Sequence, residues 1–109
     1  SEIRGELPKG WQMDFGNSLL KLLPAGSISG APKKKTVEII NNVEIEPRGY
    51  YTGIFGIFDG KSFDSAVLIR FIEKKYNNFF FRSGGGITAQ SNMDEEYQEL
   101  IQKIYVPSF

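Results

Sequence analysis

Residues 50–83, YYTGIFGIFDGKSFDSAVLIRFIEKKYNNFFFRS, decide the fold. Residues 50–58 are mostly aromatic and β-branched on both alternating faces, the composition of a strand covered on each side. Asp59-Gly60 is a turn signal, residues 65–73 (SAVLIRFIE) read as a second strand, and residues 79–83 (FFFRS) as a third. The link between the last two holds Lys74, Lys75, Asn77 and Asn78. Three consecutive strands with short links predict an antiparallel β-meander. Upstream, residues 15–23 (FGNSLLKLL) carry a short helical pattern that Pro24 closes, and residues 25–30 read as a loop. A second helix is expected from Pro32, placed in its first turn, with Val37, Ile40 and Val43 on one face. It should end near residues 44–46, because Pro47 disfavours the helical region for the residue before it. Downstream, Asn92 with Glu95 three residues on predicts a capping box and a helix to about Tyr105, before Pro107. The class is therefore α+β: a β-meander over about residues 50–83 with flanking helices.

A length of 109 residues allows one domain with a modest core. Lys plus Arg and Asp plus Glu number 13 each and histidine is absent, so there is no broad positive field for nucleic acid or an anionic membrane. Without cysteine there is neither a disulfide framework nor a thiolate metal site, which fits a reducing compartment. No stretch approaches the roughly 18 apolar residues of a membrane helix, and the start lacks the apolar core of a signal peptide. A cytoplasmic protein is expected, with neither nucleic acid nor membrane as a partner. The chain opens at Ser1 without an initiator methionine, which raises the expectation of a longer parent.

Three groups of residues point to chemistry. Gly84, Gly85 and Gly86 run into the capped helix and offer backbone N–H groups to an anion. On that helix Glu96 and Glu99 stand at i and i+3, with Lys103 four residues beyond Glu99, so one stripe carries two hard-cation ligands and a base. An ordinary solvated face would carry the same charges. Arg70 shares the predicted strand face of Ala66, Leu68 and Ile72; it suits either a structural ion pair or a fork on a ligand carboxylate. The loop around Ser27 combines glycines and hydroxyls ahead of a helix, an arrangement suited to an anion or a hydroxylated ligand.

Taken together, PAGSISGAPK (24–33), PRGYYTGIFGIFDG (47–60), IRFIE (69–73), SGGGIT (83–88) and EYQELIQK (96–103) resemble the carboxy-terminal part of the chorismate-utilising enzymes. That family includes aminodeoxychorismate synthase component I, anthranilate synthase component I, isochorismate synthase and salicylate synthase. The resemblance covers nearly the whole chain, with the motifs in the family's order. It implies that Ser27 lies by the substrate, that Tyr51 and Arg70 contact the enolpyruvyl carboxylate, and that Gly84, Gly85 and Gly86 meet the ring carboxylate, with Lys103 nearby. Glu96 and Glu99 would supply half of a Mg2+ site. The remaining acids, a histidine and, in some members, a nucleophilic lysine belong to upstream motifs of that family. No residue here is therefore assigned as catalytic, and residues 1–109 are expected to be a C-terminal fragment of a chorismate-binding catalytic domain, inactive alone.

The resemblance favours aminodeoxychorismate synthase component I, on SGGGIT and the ending at residues 104–107. That enzyme aminates C4 of chorismate for p-aminobenzoate and folate synthesis. Anthranilate synthase component I and isochorismate synthase are the alternatives; from another class, a non-catalytic module binding a small carboxylate or a partner protein. The implied partners are chorismate, a glutamine amidotransferase subunit or domain, and the upstream remainder of the same domain. Alone, the chain is expected to self-associate through its uncovered apolar strand faces.

Overall fold

The computed structural model describes residues 2–106. A 3-10 turn, Trp11–Asp14, runs directly into α1 (Phe15–Leu22), followed by α2 (Gly26–Ser29) and α3 (Lys33–Val43). Four strands come next, β1 (Ile54–Phe58), β2 (Phe63–Val67), β3 (Phe71–Lys75) and β4 (Asn78–Arg82), and then α4 (Met93–Gln102). The class is α+β with antiparallel pairing, as the sequence predicts.

The expected three-strand meander is instead two separate two-stranded sheets, β1–β2 and β3–β4. Residues 65–73 do not form one strand. Beyond Val67 the first ladder continues irregularly, with the Leu68 N–H donating to the Gly53 carbonyl (2.9 Å) and the Thr52 N–H to the Leu68 carbonyl (2.8 Å). The chain then turns at Arg70, whose φ of +53° lies in the left-handed region that disfavours a Cβ. The expected strand at residue 50 also starts late: residues 50–52 are turn, Thr52 has φ +65°, and regular pairing begins at Ile54. Short elements depart in smaller ways. The loop at 25–30 contains the single turn α2, Pro32 precedes α3 as its N-cap rather than lying in its first turn, and α4 stops at Gln102 rather than near Tyr105. Pro107 lies outside the described residues.

Local chemistry explains each hairpin. In the β1–β2 loop Asp59 Oδ1 accepts from the N–H groups of Lys61 (2.8 Å) and Ser62 (2.6 Å), and Oδ2 accepts from Ser62 Oγ (3.0 Å). These bonds, led by the Ser62 backbone N–H, hold the Asp59 carboxyl below the usual aspartate range. In the second hairpin Arg82 on β4 pairs with Glu73 on β3 at 2.5 Å. At the far end, the Asn92 side chain accepts from the N–H groups of Asp94 (3.0 Å) and Glu95 (3.3 Å), the N-cap half of the capping box expected for α4; the Glu95 side chain does not return a bond to the Asn92 N–H.

One face of the first hairpin is partly covered. Phe15 of α1 stacks on Phe58 with ring centroids 4.5 Å apart and meets Phe63 edge-on at 4.7 Å, while Trp11 stands 5.9 Å from Phe58. Gly56 lies beneath these rings, where a Cβ would come within 2.6 Å of the Phe63 ring. The opposite face is open: Phe55 is 58% and Ile57 78% exposed. The expectation that this strand is covered on both sides therefore fails within the chain itself. Among the described residues no hydrophobic side chain is buried, and Ser29 is the polar one that is. The radius of gyration is 16.6 Å, against roughly 13 Å for a compact domain of this length. The accessible surface of 9856 Å² compares with roughly 6,100 Å² for a compact monomer of this mass. The fold is therefore a set of locally formed elements rather than a closed core.

Candidate functional site

Tyr51 lies in the consecutive turns between α3 and β1, where the Tyr51 N–H donates to the Arg48 carbonyl (3.1 Å) and the Gly53 N–H to the Tyr50 carbonyl (3.0 Å). Its phenol is seated against the backbone of Gly84, so closely that a Cβ there would overlap the hydroxyl and lie 2.9 Å from Cζ. A side chain at this position fits only if the Tyr51 ring moves away. Ser83 Oγ, one residue earlier, is buried without a hydrogen-bond partner. That unpaired hydroxyl is a feature of the site that the sequence does not single out, because its burial depends on tertiary packing.

The glycine segment continues to α4. A Cβ on Gly85 would stand 3.7 Å from Glu96 Oε2 and 3.9 Å from Leu100 Cδ2, whereas one on Gly86 would meet open space. Gly85, Ile87, Met93, Glu96, Tyr97 and Leu100 line a groove of about 270 Å³, largely apolar apart from the Glu96 carboxylate. Two sequence-distant motifs, around Tyr51 and around residues 83–88, thus meet, and the α4 carboxylate stands beside them.

The expected common stripe on α4 divides. Glu96 faces the glycines, but Glu99 is ion-paired with Lys103 and lies beside Asp94, Glu95, Gln98 and Gln102. The hydrogen bond from Lys103, then its charge and that of Arg70, hold the Glu99 carboxyl below its usual range. Arg70 therefore lies within electrostatic reach of α4, although it occupies the left-handed break between β2 and β3 and not the strand face expected for it. Its exposed guanidinium extends from that strained position. Residues held in such conformations cluster at ligand sites.

Ser27 is not gathered into this group: it is exposed on α2, which among the described elements packs only on α3. The neighbouring Ser29 is 3% exposed, and its hydroxyl donates back to the Ala25 carbonyl (3.3 Å). For a divalent cation, Glu96 and Glu99 are hard oxygen donors in the number that Mg2+ takes from protein when water and substrate oxygens complete its shell. They fit in kind. Among the described residues no cluster of three or more His, Cys, Asp or Glu is placed to hold a metal.

Comparison with known proteins adds to this geometry. The family model described as chorismate binding enzyme matches residues 1–108. The chain belongs to the chorismate-binding enzyme family. The resemblance in the sequence motifs is thus a true membership. A PabA-like protein of Pasteurella multocida is 65% identical over 107 residues, covering 98% of this chain and 33% of the relative. Anthranilate synthase component 1 of Cereibacter sphaeroides is 38% identical over 104 residues, covering 94% and 20%. A protein of Oryza sativa named probable aminodeoxychorismate synthase, chloroplastic, is 37% identical over 86 residues, covering 78% and 10%. The chain thus spans about a third of the length of the first relative and less of the others. No solved structure matches it. Among the described residues no helix is long and apolar enough to cross a membrane.

Proposed function

We propose that this chain forms the carboxylate-binding part of an aminodeoxychorismate synthase component I, with activity in the full-length gene product. The observation that carries the proposal is the seating of the Tyr51 phenol on Gly84, with Glu96 beside Gly85. It brings a hydroxyl donor, a run of backbone N–H groups and a carboxylate to one place, and chorismate carries two carboxylates and a ring hydroxyl. In this reading the Tyr51 hydroxyl and the Arg70 guanidinium donate to the enolpyruvyl carboxylate, the fork of Arg70 giving two parallel bonds. The N–H groups of Gly84, Gly85 and Gly86 donate to the ring carboxylate, with the Lys103 ammonium adding positive charge, while Ser27 on α2 stands apart from this group. Glu96, joined by Glu99 once Glu99 leaves its pairing with Lys103, would hold Mg2+, which when bound supplies Lewis-acid polarisation of the C4 hydroxyl. Ile87, Tyr97 and Leu100 give the groove an apolar side that the ring can lie against.

The name of the Pasteurella relative supports the p-aminobenzoate branch and a glutamine amidotransferase as the source of ammonia. A cytoplasmic location belongs to the same proposal and accords with the absence of cysteine. Anthranilate synthase component I is the second reading, favoured by a relative of that name at 38% identity over nearly the whole chain. Chorismate, ammonia and Mg2+ incubated with the full-length gene product separate the two. Aminodeoxychorismate by mass spectrometry supports the first reading; fluorescent anthranilate with released pyruvate supports the second. Conversion of chorismate to neither overturns the proposed amination.

A further inference from the structure

We infer that Arg48 is a positioning residue for Tyr51, locked by Glu44, and so sets how firmly this site holds a substrate carboxylate. The inference rests on the reading of Tyr51 as a carboxylate ligand. Glu44 follows the last residue of α3 and receives the Arg48 guanidinium as a fork: Nη2 to Oε1 at 2.5 Å and Nε to Oε2 at 2.7 Å. Nη1, the remaining arm, donates to Thr52 Oγ1 at 3.1 Å. The guanidinium carbon stands 5.7 Å from the centre of the Tyr51 ring.

A single guanidinium therefore contacts the ring of Tyr51 and the side chain that follows it. The second contact matters because Thr52 is β-branched and has φ +65°, a conformation such residues adopt only under constraint. Thr52 Oγ1 also donates to the Tyr51 carbonyl at 2.6 Å, so Arg48, Thr52 and the Tyr51 backbone form one chain of hydrogen bonds. These side-chain contacts of Arg48 serve the Tyr51 turn, and the turn in turn aims the phenol at Gly84. The mutual stabilisation of the pair is visible in its protonation: the bond to Glu44 raises the Arg48 pKa, and the same bond holds Glu44 below its usual range. Lysine at 48 would keep the charge but lose the fork.

The experiment uses the full-length gene product. Arg48→Met keeps the length of the stem and removes fork and charge. Chorismate KM should rise about tenfold, the scale of a weakened charged hydrogen bond, with kcat within about twofold. Arg48→Lys should fall between, and Glu44→Gln should raise KM by a smaller factor. In a Tyr51→Phe background, Arg48→Met should add less than about twofold, because a residue acting through the phenol hydroxyl loses its effect when that hydroxyl is gone. An unchanged KM, or the same tenfold rise in both backgrounds, overturns the inference. Should Arg48→Met fail to fold, Glu44→Gln carries the same cycle. A readout independent of substrate is the 19F resonance of 3-fluorotyrosine at position 51, assigned by its loss in Tyr51→Phe. It should shift on Arg48→Lys, and an unmoved resonance overturns the contact. Calorimetric binding of chorismate to the unmodified protein tests the functional reading separately.

Discussion

Adding one methyl group at Gly84 should dislodge Tyr51. The backbone of Gly84 is not in the left-handed region, so alanine there carries no conformational strain and its cost is steric. Its Cβ would overlap the Tyr51 hydroxyl and sit 2.9 Å from Cζ and 3.5 Å from Cε1, so the ring must move away or the glycine segment must. Overpacking of this kind costs about 1–3 kcal/mol in stability. Displacing the hydroxyl should also forfeit its bond to a carboxylate, worth about 1.5–3 kcal/mol. At about 1.4 kcal/mol per factor of ten, chorismate binding should weaken roughly 10- to 100-fold. The assay is urea unfolding and chorismate titration of the full-length gene product carrying Gly84→Ala, Gly85→Ala or Gly86→Ala. All three keep the N–H groups, yet an added Cβ meets its first neighbour at 3.7 Å at Gly85 and none within 4 Å at Gly86. Gly84→Ala should therefore lose most stability, and Tyr51→Phe added to it should restore part, since the worst overlap goes while the Cζ contact stays. Equal stability across the three alanine variants would refute the Tyr51–Gly84 contact and, with it, the assembly of the site.

Further outcomes follow from other contacts. Glu96→Gln and Glu99→Gln should each lower turnover and raise the Mg2+ needed for half activity while leaving the urea midpoint in place; unchanged Mg2+ dependence in both would remove these residues from a metal site. Arg70→Gly should relieve the left-handed strain, stabilising by about 1 kcal/mol, while weakening chorismate binding, and a destabilised variant would contradict the strain argument. The Asp59 carboxyl titrates below its unfolded value of 3.8, so its contribution to the first hairpin is complete above that pH and declines as pH falls through and below it. Asp59→Ala should abolish that part of the acid dependence, measured as the urea midpoint between pH 5 and 2. The isolated 109-residue chain should sediment as oligomers at micromolar concentration and convert no chorismate; a stable, dye-silent monomer would count against the open faces described here.

What the sequence discloses depends on how local each feature is. The start of α4 is legible because Asn92 caps it with its own side chain, and the Glu99–Lys103 pair is legible from i, i+4 spacing. The break at Arg70 is not, because residues 65–73 contain no glycine, proline or asparagine to mark it, and the left-handed turn falls on a residue whose type argues against it. Residues 50–52 mislead in the same way: their aromatic and β-branched character suits a strand, but the Arg48 contacts hold them in a turn. The Tyr51–Gly84 contact spans two motifs that no local pattern joins. The family resemblance named both motifs, but only the tertiary fold brings them into contact and turns Glu96 and Glu99 toward different neighbours.

The absence of buried apolar side chains among the described residues bears on the order of events in folding. Each hairpin closes over a short loop, and each helix is held by its own turns, so these pieces can form on the microsecond scale. Joining them into a cooperative body is a slower, separate step, since contacts between sequence-distant elements repay their loop entropy only when a shared interior forms. During synthesis the side of β1 bearing Phe55 and Ile57 would stay uncovered through that interval. Association with other chains would begin there, on the strand face opposite the Trp11–Phe15 cluster, before that interior closes.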